Sequence, residues 1–204
     1  LPPRHKLLEI NIFPGIPGWV ISRDNGESWK RWTPDGIVSA TPYESPAPAP
    51  GFEGSGASLS DGTVIVLEWT ATGRRPDGLW TGHLWKSKDD CRTLQGPIEV
   101  TLDLPRAQKM FDDSGRPSIG ICFHRSLLEL PDGDLITTVY GAFEEDTTPV
   151  AYQPTMKKMR CVLLRSSDRG RSWRYASTIA VDPKVGQEGF DEPVMIRLSK
   201  GPKA

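Results

Sequence analysis

Apolar residues fall in short alternating or near-continuous runs, each closed by a cluster of turn formers. Leu7-Leu8-Glu9-Ile10-Asn11-Ile12-Phe13 and Gly18-Trp19-Val20-Ile21-Ser22 read as strands, because a period near two sends successive side chains to opposite sheet faces. The turn Ser60-Asp61-Gly62 leads into the β-rich run Thr63 to Trp69, and Trp80 to Lys86 and Ile98 to Leu102 predict two more strands. The clearest unit runs from Cys122 to Leu130, turns at Pro131-Asp132-Gly133, returns over Asp134 to Tyr140, and continues with Met159 to Arg165 and Tyr175 to Val181. Residues 188–201 open a further unit with one apolar strand. Gly73 to Gly78, Arg106 to Pro117 and Gly141 to about Thr155 read as loops, the Asp112-Asp113 pair as solvated, and the proline-rich Thr41 to Pro50 as an extended connector that lacks ladder donors. Long helical periodicity is absent, so the pattern predicts an all-β chain.

One octet is used twice. Ser166-Ser167-Asp168-Arg169-Gly170-Arg171-Ser172-Trp173 matches Ser22-Arg23-Asp24-Asn25-Gly26-Glu27-Ser28-Trp29, and a worn copy stands at Ser87-Lys88-Asp89-Asp90-Cys91-Arg92-Thr93-Leu94. Physically the pattern is a hairpin turn: Asp accepts from amides ahead of it, Gly takes a positive φ, and Trp enters the next strand as an apolar plug. The octet resembles the Asp-box of the sialidase-like, or BNR-repeat, β-propellers. The resemblance implies a structural role at the blade periphery for Asp24, Trp29, Asp89, Asp168 and Trp173.

The recurrence of Asp24, Asp89 and Asp168 gives each unit slightly more than the roughly 40 to 50 residues of a four-stranded blade. The resemblance then implies about three blades of an expected six, near residues 1–40, 51–105 and 118–182, with the start of another at 187–204. The remaining blades are expected from residues not shown or from another chain, since an open arc leaves apolar faces and strand edges uncovered.

A net charge of -1, from 25 basic and 26 acidic residues, gives no electrostatic case for nucleic acid or an anionic membrane. No apolar run is long enough to span a bilayer, no signal peptide is evident, and the chain starts at Leu1, as a processed or truncated chain would. Cys91, Cys122 and Cys161 form neither a disulfide nor a metal spacing, and the latter two lie in apolar runs as buried thiols. The family resemblance favours a secreted or periplasmic setting and implies no metal or organic cofactor.

The chemistry-bearing positions emerge when Leu59-Ser60-Asp61-Gly62, Leu130-Pro131-Asp132-Gly133 and Leu198-Ser199-Lys200-Gly201 are superposed. Eight residues before the turn Asp or Lys stand Glu53, His124 and Glu192, three ionisable groups at one position of the repeat. In a propeller the first strand of each blade lines the axis, so these side chains are expected to converge in one funnel, as glycosidic proton transfer requires. Asp191-Glu192-Pro193 resembles the sialidase strand whose Glu assists a Tyr nucleophile supplied by a later blade. Asp191 is then a substrate-binding residue. The family's Phe/Tyr-Arg-Ile-Pro motif is absent, and Arg125 in Phe123-His124-Arg125-Ser126-Leu127 is the nearest counterpart for holding a substrate carboxylate. Trp80 or Trp85, beside a long loop, offers a ring face for a sugar.

These residues imply part of a sialidase-like exo-glycosidase hydrolysing terminal sugars of glycans, acidic ones included. The alternative is a non-catalytic propeller that binds glycan or protein through the same funnel. A third reading, a lyase or hydrolase for other acidic sugars, would use His124 as acid or base.

Overall fold

The computed structural model describes residues 7–11, 18–22, 24, 27–28, 30–32, 36–38, 55–68, 73–104, 107, 109–111, 117–119 and 121–198. They are all-β. The strands in chain order are β1 (Leu7–Asn11), β2 (Gly18–Ser22), β3 (Lys30–Trp32), β4 (Gly36–Val38), β5 (Ser55–Ser58), β6 (Val64–Leu67), β7 (Gly73–Arg74), β8 (Trp80–Ser87) and β9 (Thr93–Asp103). They continue as β10 (Lys109–Phe111), β11 (Pro117–Ile119), β12 (Ile121–Glu129), β13 (Leu135–Gly141), β14 (Pro149–Val150), β15 (Gln153–Lys157), β16 (Arg160–Ser166) and β17 (Ser172–Ala180). Among the described residues no helix is long and apolar enough to cross a membrane, which says nothing of β-barrels.

Two four-stranded antiparallel meanders dominate, β5-β6-β8-β9 and β12-β13-β16-β17. Their outer strands join in parallel, Ser172–Arg174 of β17 against Thr101–Asp103 of β9, giving one path of eight strands. At its two ends β12 lies against β5, so the path nearly closes on itself. β4 pairs with β9 in parallel, and β1-β2-β3 form a separate small sheet.

The closure follows from burial. Ile65, Leu67, Leu84, Val100 and Leu102 from the first meander and Phe123, Leu127, Leu135, Val139, Val162, Leu164 and Trp173 from the second form one core cluster. Each comes from the inward set of an alternating strand, and burying a side chain of this size contributes roughly 1.5–3 kcal/mol. At the tight-turn end, the Ser60 amide and hydroxyl donate to Glu129 at 2.5 and 3.1 Å, and Arg169 reaches Asp61 at 2.5 Å, tying the meanders together.

Several boundaries differ from the sequence reading. The loop after Gly141 contains the β14–β15 hairpin, the crossing after Arg106 contains β10 paired with β11, and β17 begins at Ser172. Residues 191–198 form no strand; Met195 N–H donates to Ser126 Oγ at 2.7 Å, a side-chain contact instead of a backbone ladder. Val194, Ile196 and Leu198 are exposed there at 64%, 75% and 61%. Thr41 to Pro50 and the Asp112-Asp113 pair lie outside the described residues.

Candidate functional site

β12 and β13 place Phe123 and Val139 on the core face, so their neighbours Cys122, His124, Thr138 and Tyr140 take the other face. The segment after β17 crosses that second face. Met159 N–H donates to Glu188 O at 2.7 Å, and Phe190 N–H returns a bond to Met159 O at 3.0 Å. Phe190 then packs on the cluster of Tyr140, Met159, Cys161 and Cys122. Gly189 permits this approach: its φ is +92°, and a Cβ would stand 2.4 Å from Met159 O. Tyr152 donates to Glu188, and Lys158 Nζ donates to Val185 O and Gly186 O at 3.2 and 2.6 Å, fastening the same segment.

This docking brings Asp191 and Glu192 over β12. His124 is fully buried, and its Nε2 lies 4.0 Å from Glu192 Oε1. The Tyr140 ring meets the His124 ring edge-on, with centroids 5.7 Å apart. The Thr138 hydroxyl lies 3.4 Å from His124 O and 3.5 Å from Pro193 O. Two left-handed residues frame the site, Arg125 at φ 52° and Glu192 at φ 44°. Side-chain-bearing residues accept such a conformation at a cost of about 1–2 kcal/mol each. At Arg125 the departure coincides with the break in β12–β13 register between Phe123 and Leu127, which turns Arg125 out to solvent while His124 stays buried.

Carboxylates crowd around Asp191. Loss of solvation, then the Glu188 and Glu192 carboxylates, raise the Asp191 carboxyl above its ordinary value, with His124 opposing. Burial, then Cys122, Glu192 and Asp191, push the Tyr140 hydroxyl far above its usual range, so this phenol stays protonated. Burial and Asp191 lift the Cys161 thiol to about 11. Among the described residues no group of three His, Cys, Asp or Glu is placed to hold a metal ion.

The sequence-derived positions therefore separate into groups. His124, Asp191 and Glu192 come together, with Arg125 beside them on the outer side of the bulge. Glu53 and Trp29 lie outside the described residues. Trp80 and Trp85 are 2% and 1% exposed, which corrects the expectation that one presents a ring to a sugar: each plugs packed sheet surface. Cys161 is buried, whereas Cys122 is half-buried.

The octets share one hydrogen-bond scheme, and those at Asp89 and Asp168 lie at the opposite end of the meanders. Asp168 accepts from Ser166 Oγ, Arg171 N, Ser172 N and Ser172 Oγ at 2.8, 3.0, 2.9 and 2.6 Å. Asp89 accepts from Ser87 Oγ, Thr93 N and Thr93 Oγ1 at 2.8, 2.9 and 2.7 Å. Asp24 accepts from Ser28 N and Oγ at 2.9 and 2.5 Å. The bonds from Thr93, backbone first, hold the Asp89 carboxyl down at about 2. For Asp168 burial pushes up, and the bonds from Ser172, Ser166 and Arg171 outweigh it, leaving the carboxyl below its ordinary value. Trp173 and Leu94 are each 1% exposed at the plug position, and Trp173 Nε1 donates to Gly170 O at 3.0 Å.

Tyr140, Thr138 and Ser126 were not singled out in the sequence, although the alternation of β12 and β13 places Tyr140 and Thr138 on the His124 face. A second polar cluster was also missed. Buried Glu68 accepts from Trp85 Nε1 at 2.8 Å and faces His83 Nδ1 at 3.1 Å. Glu68 lies in the predicted strand Thr63 to Trp69 and His83 in the next, but their approach depends on the β6–β8 register, which composition does not reveal.

No protein-family model matches this chain, and no curated protein matches it. Among solved structures, a protein of unknown function from Dyadobacter fermentans is similar, with a TM-score of 0.54 and 21% identity over 90% of this chain and 48% of that one. A Hadza microbial sialidase aligns with a TM-score of 0.47 and 16% identity over 79% of this chain and 30% of its own. The first likeness concerns the fold alone. This chain spans about half the length of the Dyadobacter protein.

Proposed function

We propose that the chain is part of a sialidase-like six-bladed β-propeller, with the two meanders as blades, and that the complete propeller is an exo-glycosidase acting on terminal sugars of glycans. Three turns carrying the Asp-box residues with the same carboxylate bonding support the family reading. The exposed row Val194, Ile196 and Leu198 supports a further strand, from additional residues or another chain, as its cover. The observation that carries the functional reading is the convergence of His124, Asp191 and Glu192 over β12, with left-handed backbone at Arg125 and Glu192. Strained residues gathered around ionisable groups are characteristic of functional sites.

In this reading Glu192 takes the proton of a Tyr nucleophile brought by a later blade, and buried His124 orients Glu192. Tyr140 is unsuited to be that nucleophile because it is buried, with its ring packed edge-on against His124. Asp191, with its raised carboxyl, holds a sugar hydroxyl, and Glu53 contributes from the equivalent position of the preceding blade. The carboxylate crowd at Asp191 favours a sugar without a carboxylate of its own. Arg125, solvent-facing, is the group available to an acidic sugar.

The test is turnover by the complete propeller on aryl glycosides of neutral sugars, uronic acid and sialic acid, with Glu192→Gln alongside. Gln preserves shape but cannot take the proton, so kcat is expected to fall about 100-fold or more with little change in KM. Equal turnover by the two proteins removes the general-base role. Saturable glycan binding without turnover on any substrate moves the assignment to a glycan-binding propeller.

A further inference from the structure

A concavity opens on the loop-bearing end of the second meander. β13 ends at Gly141, β16 begins at Arg160 and β17 ends at Ala180, so the loops after Gly141 and Ala180 leave the edge where His124 lies on β12. Between them is a cleft of about 240 Å³, with Glu145, Thr147, Thr148, Val181, Asp182 and Pro183 on its walls and Arg160 also lining it. That volume is below the ~300 Å³ lower end of pockets for drug-sized ligands, and suits one small ring. Met159 is the partition: its backbone carries the segment leading to Asp191, its side chain joins the Tyr140 cluster, and it also lines the cleft.

The chemistry of the cleft selects the ligand. Arg160 Nε donates to Asp146 Oδ2 at 2.8 Å, its Nη2 reaches Asp146 Oδ1, its Nη1 lies 2.9 Å from Glu145, and its guanidinium sits 5.3 Å from the Phe143 ring centroid. Lys158 is fastened to two backbone carbonyls. Both cations are thus engaged, and three carboxylates (Glu145, Asp146, Asp182) against two cations leave a formal surplus of one negative charge. An anion is disfavoured. The Thr147 and Thr148 hydroxyls, with the lone pairs that Glu145 and Asp182 keep beside their Arg160 and Lys184 partners, suit the hydroxyls of a polyol, while Val181 and Pro183 offer apolar surface to the C–H face of a pyranose.

We propose that this cleft is a subsite for an uncharged sugar, the residue next to the terminal one, with the glycan running from the Asp191–Glu192 pair across Met159. The inference rests on the glycan-processing reading above and adds where the rest of the substrate goes. Its consequence is a preference for neutral oligosaccharides over glycosides with a small leaving group.

The test reads binding without turnover. Lactose, cellobiose and N,N'-diacetylchitobiose are titrated into the 15N-labelled complete propeller, its Val181→Trp variant and its Glu145→Gln variant. Val181 is 47% exposed, so Trp there fills the cleft without entering the core, and Gln keeps the shape of Glu145 while removing its charge. Saturable amide shifts at residues 145–148 and 181–182 are expected with at least one disaccharide, with affinity about tenfold weaker in Glu145→Gln, the scale of a lost hydrogen bond to a charged group, and at least as much weaker in Val181→Trp, whose ring occupies the cleft. Absence of saturable shifts with all three sugars, or unchanged affinity in Val181→Trp, overturns the subsite. In the complete propeller, Val181→Trp is expected to raise KM for oligosaccharides about tenfold. Cleft binding without turnover leaves the subsite standing and removes the glycosidase reading; aryl glycoside turnover without cleft binding does the reverse.

Discussion

The two meanders agree at one end and diverge at the other. At the turn end, Ser87 to Leu94 and Ser166 to Trp173 reach the same carboxylate-centred scheme although Cys91 replaces Gly170 and Leu94 replaces Trp173. At the loop end, β5 pairs with β6 in unbroken register, whereas β12 breaks register against β13 and carries a left-handed Arg125. The turns satisfy only their own backbone, so any residues that close the same bonds suffice. The irregularity of β12 closes no turn. It leaves His124 buried beneath Glu192.

The largest expected effect concerns the segment that makes the ends differ. In Gly189→Ala the new Cβ would stand 2.4 Å and 2.8 Å from backbone atoms of Met159, which cannot swing aside. The Met159 bridge would open, losing two backbone bonds worth about 1 kcal/mol each and part of the Phe190 packing, for about 3 kcal/mol in all. Gly133→Ala is the control: its φ is +86° with nothing within 4 Å of the added Cβ, so only the left-handed cost of about 1–2 kcal/mol applies. Urea unfolding, with hydrogen exchange at Met159 and Phe190, measures both. Equal costs, with those amides still protected, would mean that Gly189 does not hold the segment.

What the sequence disclosed divides along the same line. The strands and octets were readable because alternation and turn chemistry are local, and Glu53, His124 and Glu192 were matched by counting from the turns. Counting from a turn conveys spacing but not contact. The docking of Phe190 on Tyr140 depends on the Met159–Gly189 bridge, and the pairing of Glu68 with His83 depends on register between β6 and β8. Both join positions separated in sequence. Residues 191–198 carry an apolar strand pattern without adopting a strand, because pattern supplies a face while a ladder also needs a neighbour.

Next in size are the turn carboxylates. Asp168→Asn and Asp89→Asn are expected to cost about 1–2 kcal/mol at neutral pH, since Asn retains one acceptor where Asp uses two, and Asp24→Asn should behave alike. The folded carboxyls lie below the unfolded value of about 3.9, so their stabilisation is present above that pH and fades as pH falls, through about 2 for Asp89. Urea midpoints at pH 7, 4, 3 and 2.5 should show wild type and variants converging. A gap that stays constant to pH 2.5 would mean that the ionised carboxylates are not what the turns rely on.

The smallest effect tests whether the worn octet is the same turn. Cys91 holds φ 65° where Gly170 holds φ 84°, so Cys91→Gly relieves a left-handed cost of about 1–2 kcal/mol. Against that stand burial of the thiol, about 1 kcal/mol for a residue 4% exposed, and the extra freedom of glycine in the unfolded chain, about 0.5–1 kcal/mol. These offset, and Cys91→Gly should fall within about 1 kcal/mol of wild type. In the reverse direction, a Cβ at Gly170 meets Trp173, Leu84 and Leu135 only at 3.5–3.8 Å, ordinary contact, so Gly170→Ala should cost the backbone term alone, about 1–2 kcal/mol. Denaturant midpoints at one pH decide both. A Cys91→Gly loss well above 2 kcal/mol would show that the thiol anchors its turn through packing, and that the two turns share bonds without sharing the reason for their stability.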